Sequence, residues 1–183
     1  MKMKIRILWV ITLLSFCLIN CTRESGHDLT DYVKTIKKVD IHTHVGSDAA
    51  WFRDVLDSIN LKVCTICTGG TDPERMYKSI DTSKQLLNNY PRYFAWVTTF
   101  DLTGRDDPGW TENVINQLRE DFSNGAVGVK VWKDIGMKIK NKDGSYIQID
   151  DPMFEPILRF IAEEDKTLIA HLGELTWEAC PMM

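Results

Sequence analysis

Histidine is scarce in this chain, with four among 183 residues, and a surplus of positive charge is missing. Each shortage excludes something. With 22 Lys and Arg against 26 Asp and Glu the net charge is −4, and beyond the first six positions the cations are scattered. That balance leaves no basic patch for nucleic acid. Long apolar runs are lacking too. The longest, from Ile7 to Leu18 and broken by Thr12, is well short of the ~20 residues a bilayer-spanning helix needs. Cysteine is sparse at five, and no second C-x-x-C accompanies Cys64 and Cys67 to complete a zinc site. What remains is ordinary globular composition, 44% hydrophobic and 26% charged.

The N-terminus reads as a targeting segment. Lys2, Lys4 and Arg6 form a basic opening, and the apolar stretch after it has the length of a signal-peptide core. Leu18-Ile19-Asn20-Cys21 follows and resembles a bacterial lipoprotein signal, in which the cysteine becomes the lipidated first residue. Asn20 departs from the small residue usual before that cysteine. An ordinary secretory signal or an uncleaved anchor are the other readings. The expectation is residues 1–21 as signal with Cys21 as lipid acceptor, and residues 22–35 as a polar tether running into a first helix. A bacterial periplasmic or envelope location, membrane-anchored through Cys21, goes with it. His27 falls in the tether and has no expected role.

From there strands and helices alternate. Residues 28–38, with Leu29, Tyr32, Val33 and Ile36, have helical spacing. Strands are predicted at Val39–His42, Leu61–Cys67, Tyr93–Phe100, Ala126–Trp132 and Thr167–His171. Between them lie helices over Ala49–Ile59, with Trp51, Phe52, Val55, Leu56 and Ile59 on one face, from Asp72 to Tyr90, over Trp110–Phe122, and from Asp151 to Asp165. Asp72-Pro73 and Asp151-Pro152 are helix starts, with an acid as N-cap and proline in the first turn. Residues 133–150 form a longer excursion. Short apolar strands in strict alternation with helices predict an α/β fold with a parallel sheet covered on both faces. A doubly wound open sheet and a (β/α)8 barrel both fit, although no Gly-rich phosphate loop follows the first strand, which weakens the dinucleotide-binding version. Cys64 and Cys67, three apart on a strand, point to opposite faces and are not expected to bridge or share a metal.

The chemistry concentrates at strand ends. His42 and His44 lie two apart at the end of the first strand, so period-two geometry places them on one face with Asp40. Two imidazoles there can ligate one divalent cation, with Asp40 behind them orienting a ligand. His171 ends the fifth strand. In a parallel barrel all strand C-termini open on one face, where the three histidines would meet.

Asp40-Ile41-His42-Thr43-His44, Gly128-Val129-Lys130-Val131 and Ala170-His171-Leu172-Gly173-Glu174, in this order, resemble the amidohydrolase superfamily in its amidohydrolase-related branch, over residues 36–174. The resemblance implies a (β/α)8 barrel of which residues 36–183 supply about five strand–helix units. It implies a divalent metal, zinc first, held by His42, His44 and His171. Lys130 matches a strand-four lysine that becomes a ligand in some members only when carboxylated; a structural or substrate-facing lysine is the other reading. The implied activity is hydrolysis of a small amide, ester or lactone by metal-activated water, with decarboxylation in the same lineage as one alternative and a non-catalytic, truncated metal-binding lipoprotein as another. The family's strand-six histidine and strand-eight aspartate have no counterpart here, so the catalytic acid or base is unassigned; Lys130 and Glu174 are weak candidates, and Lys133 and Asp134 on the following loop could contact substrate, although nothing in their spacing demands it. An incomplete barrel is also expected to be poorly soluble or completed by a partner.

Overall fold

The computed structural model describes residues 29–171, in two compact units divided between Ile36 and Lys37. The signal segment, Cys21, His27 and Glu174 lie outside these residues. The first unit contributes one short helix, α1 (Leu29–Thr35), on which Leu29, Tyr32 and Val33 are exposed. It ends before the helix predicted to reach residue 38, because the first strand begins there.

The second unit holds β1 (Lys38–Thr43), α2 (Ala50–Ser58), β2 (Leu61–Ile66), α3 (Pro73–Asn89), β3 (Phe94–Thr99), α4 (Trp110–Ser123) and β4 (Ala126–Val131). A 3-10 turn (Pro152–Phe154), α5 (Glu155–Glu163) and β5 (Thr167–Ala170) follow. All five strands are parallel and neighbours in the order β1-β2-β3-β4-β5. Sequential parallel pairing with a crossover between each pair is the (β/α)8 arrangement, here as five strands and the four crossovers between them; a doubly wound sheet would reverse its strand order.

Local chemistry sets the helix starts as predicted. The Asp72 carboxylate accepts the Arg75 backbone N–H with Pro73 in the first turn, and Asp151 caps Met153 in the same way. The main core lies between the sheet and α3, α4 and α5, around Met76, Trp96, Leu118, Val129, Phe154 and Ile157. The excursion after β4 is pinned rather than loose. Gly136 N–H donates to the Ile147 carbonyl, Ile147 N–H to that of Ile139, and the Ile147 side chain is fully buried.

The β1 side of the sheet departs from expectation. Val39 and Ile41, predicted in a strand covered on both faces, are exposed, Ile41 at 69%. On α2 only Leu56 of the predicted apolar face is fully buried, with Phe52 packed beside it, while Trp51 stays 68% exposed. The reason is position: β1 has β2 on one side only, and Leu56 packs with Val63 of β2 and Phe94 of β3 instead of on β1.

Cys64 packs with Ile66 and Val97 on one face of the sheet, and Cys67 with the helix-side core on the other. Both thiols are free. Burial pushes the Cys67 thiol up to about 11, against hydrogen bonds from Ser83 and Ser79 that act the other way, and burial also raises Cys64. The thiolate, the reactive form, is therefore scarce at neutral pH. Alkylation of the folded chain followed by peptide mapping should leave Cys64 and Cys67 unlabelled until denaturant is added; rapid labelling of either in the native state would contradict this placement.

Candidate functional site

The C-terminal end of β1 is fastened to β2 by side chains. Thr43 Oγ1 donates to the Cys64 carbonyl at 3.0 Å, and the Val45 N–H donates to Thr65 Oγ1 at 3.0 Å. His44 Nδ1 lies 2.9 Å from the Ile66 carbonyl. A carbonyl only accepts, so Nδ1 carries a proton; in the neutral ring the lone pair is then on Nε2, the tautomer a metal-ligating imidazole needs.

His42 and His44 come together, their ring centroids 5.5 Å apart and nearly perpendicular. They do so across an irregularity the alternation rule did not foresee. Asp40 pairs with Val63 and Thr43 with Thr65, so β1 spends three residues where β2 spends two. Asp40 does not take the imidazole partner expected of it: its carboxylate accepts the His42 backbone N–H at 2.9 Å, within its own strand. The His42 pKa is lowered, first by burial, then by the charges of Lys130, His44 and His171, with Asp40 opposing. The neutral ring, the form that binds metal, is favoured.

β4 supplies the other wall. Lys130 is 2% exposed and opposite Ile169 of β5; Trp132 follows two residues on. The Lys130 ammonium stands 5.5 Å from the centre of the Trp132 ring, and that ring lies 5.9 Å from His44 at a 32° tilt. Burial pushes the Lys130 pKa down. His171, just past β5, donates its backbone N–H to the Val131 carbonyl at 3.1 Å. Among the described residues neither its Nδ1 nor the Trp132 Nε1, both buried, has a hydrogen-bond partner. Gly128 makes the close β4–β5 approach possible: a Cβ there would sit 2.4 Å from the Thr167 carbonyl oxygen. Asp134 belongs to the loop above, where it pairs with Lys138 at 2.9 Å and abuts Gly70. Lys133 precedes it in the same loop.

The structure thus brings His42, His44, Trp132 and Lys130 into one neighbourhood with His171 at the adjoining strand end. Sequence reasoning missed Trp132, whose only signal was its period-two relation to Lys130. The cleft of about 400 Å³ lined by Lys38, Asn60, Lys62 and Arg92 lies at the opposite ends of the strands.

Solved structures share this architecture. That of an amidohydrolase II aligns at TM-score 0.52 and 14% identity, over 80% of this chain and 53% of the other. A 2,6-dihydroxybenzoate decarboxylase from Rhizobium aligns at 0.51 and 13% identity, over 78% and 51%. This chain shares the fold of these two proteins, as part of a (β/α)8 barrel. A 5-carboxyvanillate decarboxylase from Novosphingobium aromaticivorans aligns at 0.46 and 21% identity over 67% of this chain. The chain spans about half the length of the first two proteins and 34% of the third. No protein-family model matches the sequence, and no curated protein does.

For the divalent metal expected from the sequence resemblance, the donor chemistry fits. Two imidazoles are adjacent, one has its tautomer set by a backbone carbonyl, and a third histidine has a buried nitrogen in need of a partner. Among the described residues no three His, Cys, Asp or Glu side chains already stand close enough to enclose an ion. His171 is the side chain that has to approach the pair.

Proposed function

We propose that this chain carries the metal-binding corner of an amidohydrolase-type enzyme acting on a small carbonyl or carboxyl compound. The observation that carries the reading is the His42–His44 pair at the β1 strand end, with His44 Nδ1 committed to the Ile66 carbonyl. His42, His44 and His171 would hold a divalent ion, zinc first. When bound, it would supply Lewis acidity and lower the pKa of a bound water. Lys130 as an ammonium repels such an ion, and only as a carbamate would it become a ligand.

Hydrolysis of an amide, ester or lactone is the first reading. Decarboxylation is the second, favoured by the shared fold with the 2,6-dihydroxybenzoate decarboxylase and by a buried cation beside the histidines, suited to an acid substrate. Export and lipidation at Cys21 belong to the same proposal; they rest on residues 1–21 alone and are tested by mass spectrometry of the mature N-terminus.

Metal analysis tests the centre. The full chain should bind zinc, and His42→Ala or His44→Ala should each weaken binding about 10- to 100-fold or more, since lost outer partners alone cost that much. A wild-type chain that binds no divalent ion, or variants that bind as well as it does, would remove the proposal. Parallel assays of carbon dioxide release from aromatic acids and of ester or amide hydrolysis separate the two readings.

A further inference from the structure

Around the histidines the described polar groups are unbalanced in kind. Lys130 offers three N–H donors and a charge in a buried position, and Trp132 Nε1–H is a donor with no partner. Neither side chain accepts a hydrogen bond. Among the described residues no carboxylate pairs with Lys130. A buried donor without an acceptor and a buried cation without a counter-ion are both costly, and a fold retains them where something else supplies the acceptor. The two belong together. They are two residues apart, Lys130 on β4 and Trp132 just past its end, with the ammonium 5.5 Å from the indole centroid and the indole beside His44.

We infer that Lys130 and Trp132 form an oxyanion-binding corner in which the ammonium and the indole N–H hold the oxygens of a carboxylate on the substrate. Trp132 is then a specificity-determining residue and Lys130 a substrate-binding cation in place of a metal ligand. The tilted rings of Trp132 and His44 give the organic part of such a ligand an apolar wall. The inference takes its location from the metal-centre reading above, but the corner itself needs no metal.

The test therefore uses the full chain stripped of metal by a chelator, with benzoate as probe and benzamide as its uncharged counterpart. Benzoate should bind at least about 10-fold more tightly than benzamide, the margin of a charge-assisted hydrogen bond. Lys130→Met, which keeps the length and apolar stem, should remove that preference. Trp132→Phe, which keeps a ring and deletes the N–H, should weaken benzoate about 5-fold, one hydrogen bond's worth. The indole N–H resonance of Trp132, assigned by its loss in W132F, should move on titration with benzoate. Equal binding of benzoate and benzamide, unchanged benzoate affinity in both variants, or a static Trp132 resonance at saturating benzoate would each overturn the inference. Failure of zinc binding with benzoate selectivity intact would count against the metal centre alone.

Discussion

Replacing Asp121 with alanine should destabilise the chain by about 3–5 kcal/mol, the cost of breaking a buried ionic network from one side. Asp121 is 2% exposed on α4. One carboxylate oxygen accepts from Thr98 Oγ1 of β3 at 2.5 Å and from Gln117 Nε2 at 3.0 Å; the other faces the Lys84 ammonium of α3 at 3.1 Å. A single side chain thus ties two helices and a strand. Its removal takes the shared acceptor from a buried hydroxyl, an amide and an ammonium, leaving the Thr99 carbonyl to Thr98 and Gln117 and the exposed Glu120 carboxylate to Lys84. Thermal unfolding should fall by roughly 6–20 °C for a chain of this size. Asp121→Asn, which keeps the shape but not the charge, should lose less. Burial works against the Lys84 charge, yet the hydrogen bond and charge of Asp121, with Glu120 behind, hold its pKa above the ordinary 10.5. A raised lysine pKa contributes stability that is complete below pH 10.5 and fades as pH rises through the folded value. That alkaline decline should be absent in Asp121→Ala. A melting temperature within a degree or two of wild type would show that the network contributes nothing.

Gly128→Val should be the second most damaging change, at about 3 kcal/mol or more. The new Cβ would lie 2.4 Å from the Thr167 carbonyl oxygen, and backbone cannot swing aside as a flexible side chain would. The strands must separate, which strains the Val129–Leu168 and Lys130–Ile169 pairings and the His171 N–H bond to Val131. Hydrogen exchange should show the amides of residues 167–171 losing protection before those of β2 and β3. Protection lost evenly across all strands, or nowhere, would contradict this. Metal affinity should fall together with β5 protection, since His171 is carried by that strand end.

The order of elements was legible because each element has a strong local cause. Asp72-Pro73 and Asp151-Pro152 start helices by capping, and the apolar spacing of Val114, Leu118 and Phe122 buries one side of α4. The opposite facing of Cys64 and Cys67 follows from strand parity alone. What was not legible depends on partners distant in the chain. Asp121 sits beside Phe122 and reads as a solvated acid until Thr98 and Lys84 arrive from other elements. Asp40 was assigned to an imidazole because a strand was taken to alternate without interruption, and register between two strands is invisible in either one. Trp132 read as one more apolar strand residue; its unpartnered N–H exists only in three dimensions. The burial expected for Val39, Trp51 and Val55 failed because periodicity tells which residues share a face, not whether anything lies against it.

The extra residue between Asp40 and Thr43 makes the spacing within β1, and not only its residue types, part of the site. On either side of it the odd and even positions exchange faces relative to β2. Loss of one residue here would leave Lys38–Leu61 pairing intact upstream and the Thr43 and Val45 fastenings intact downstream, and the backbone would simply shorten. The two imidazoles, still two residues apart, would keep a common face; what would be lost is the reach of the Asp40 carboxylate to the His42 backbone N–H. A comparison of chains with this fold should therefore count residues between the Asp40 and His42 positions before comparing their identities: a spacing changed by one marks a lost carboxylate brace on the histidine backbone even where both histidines remain.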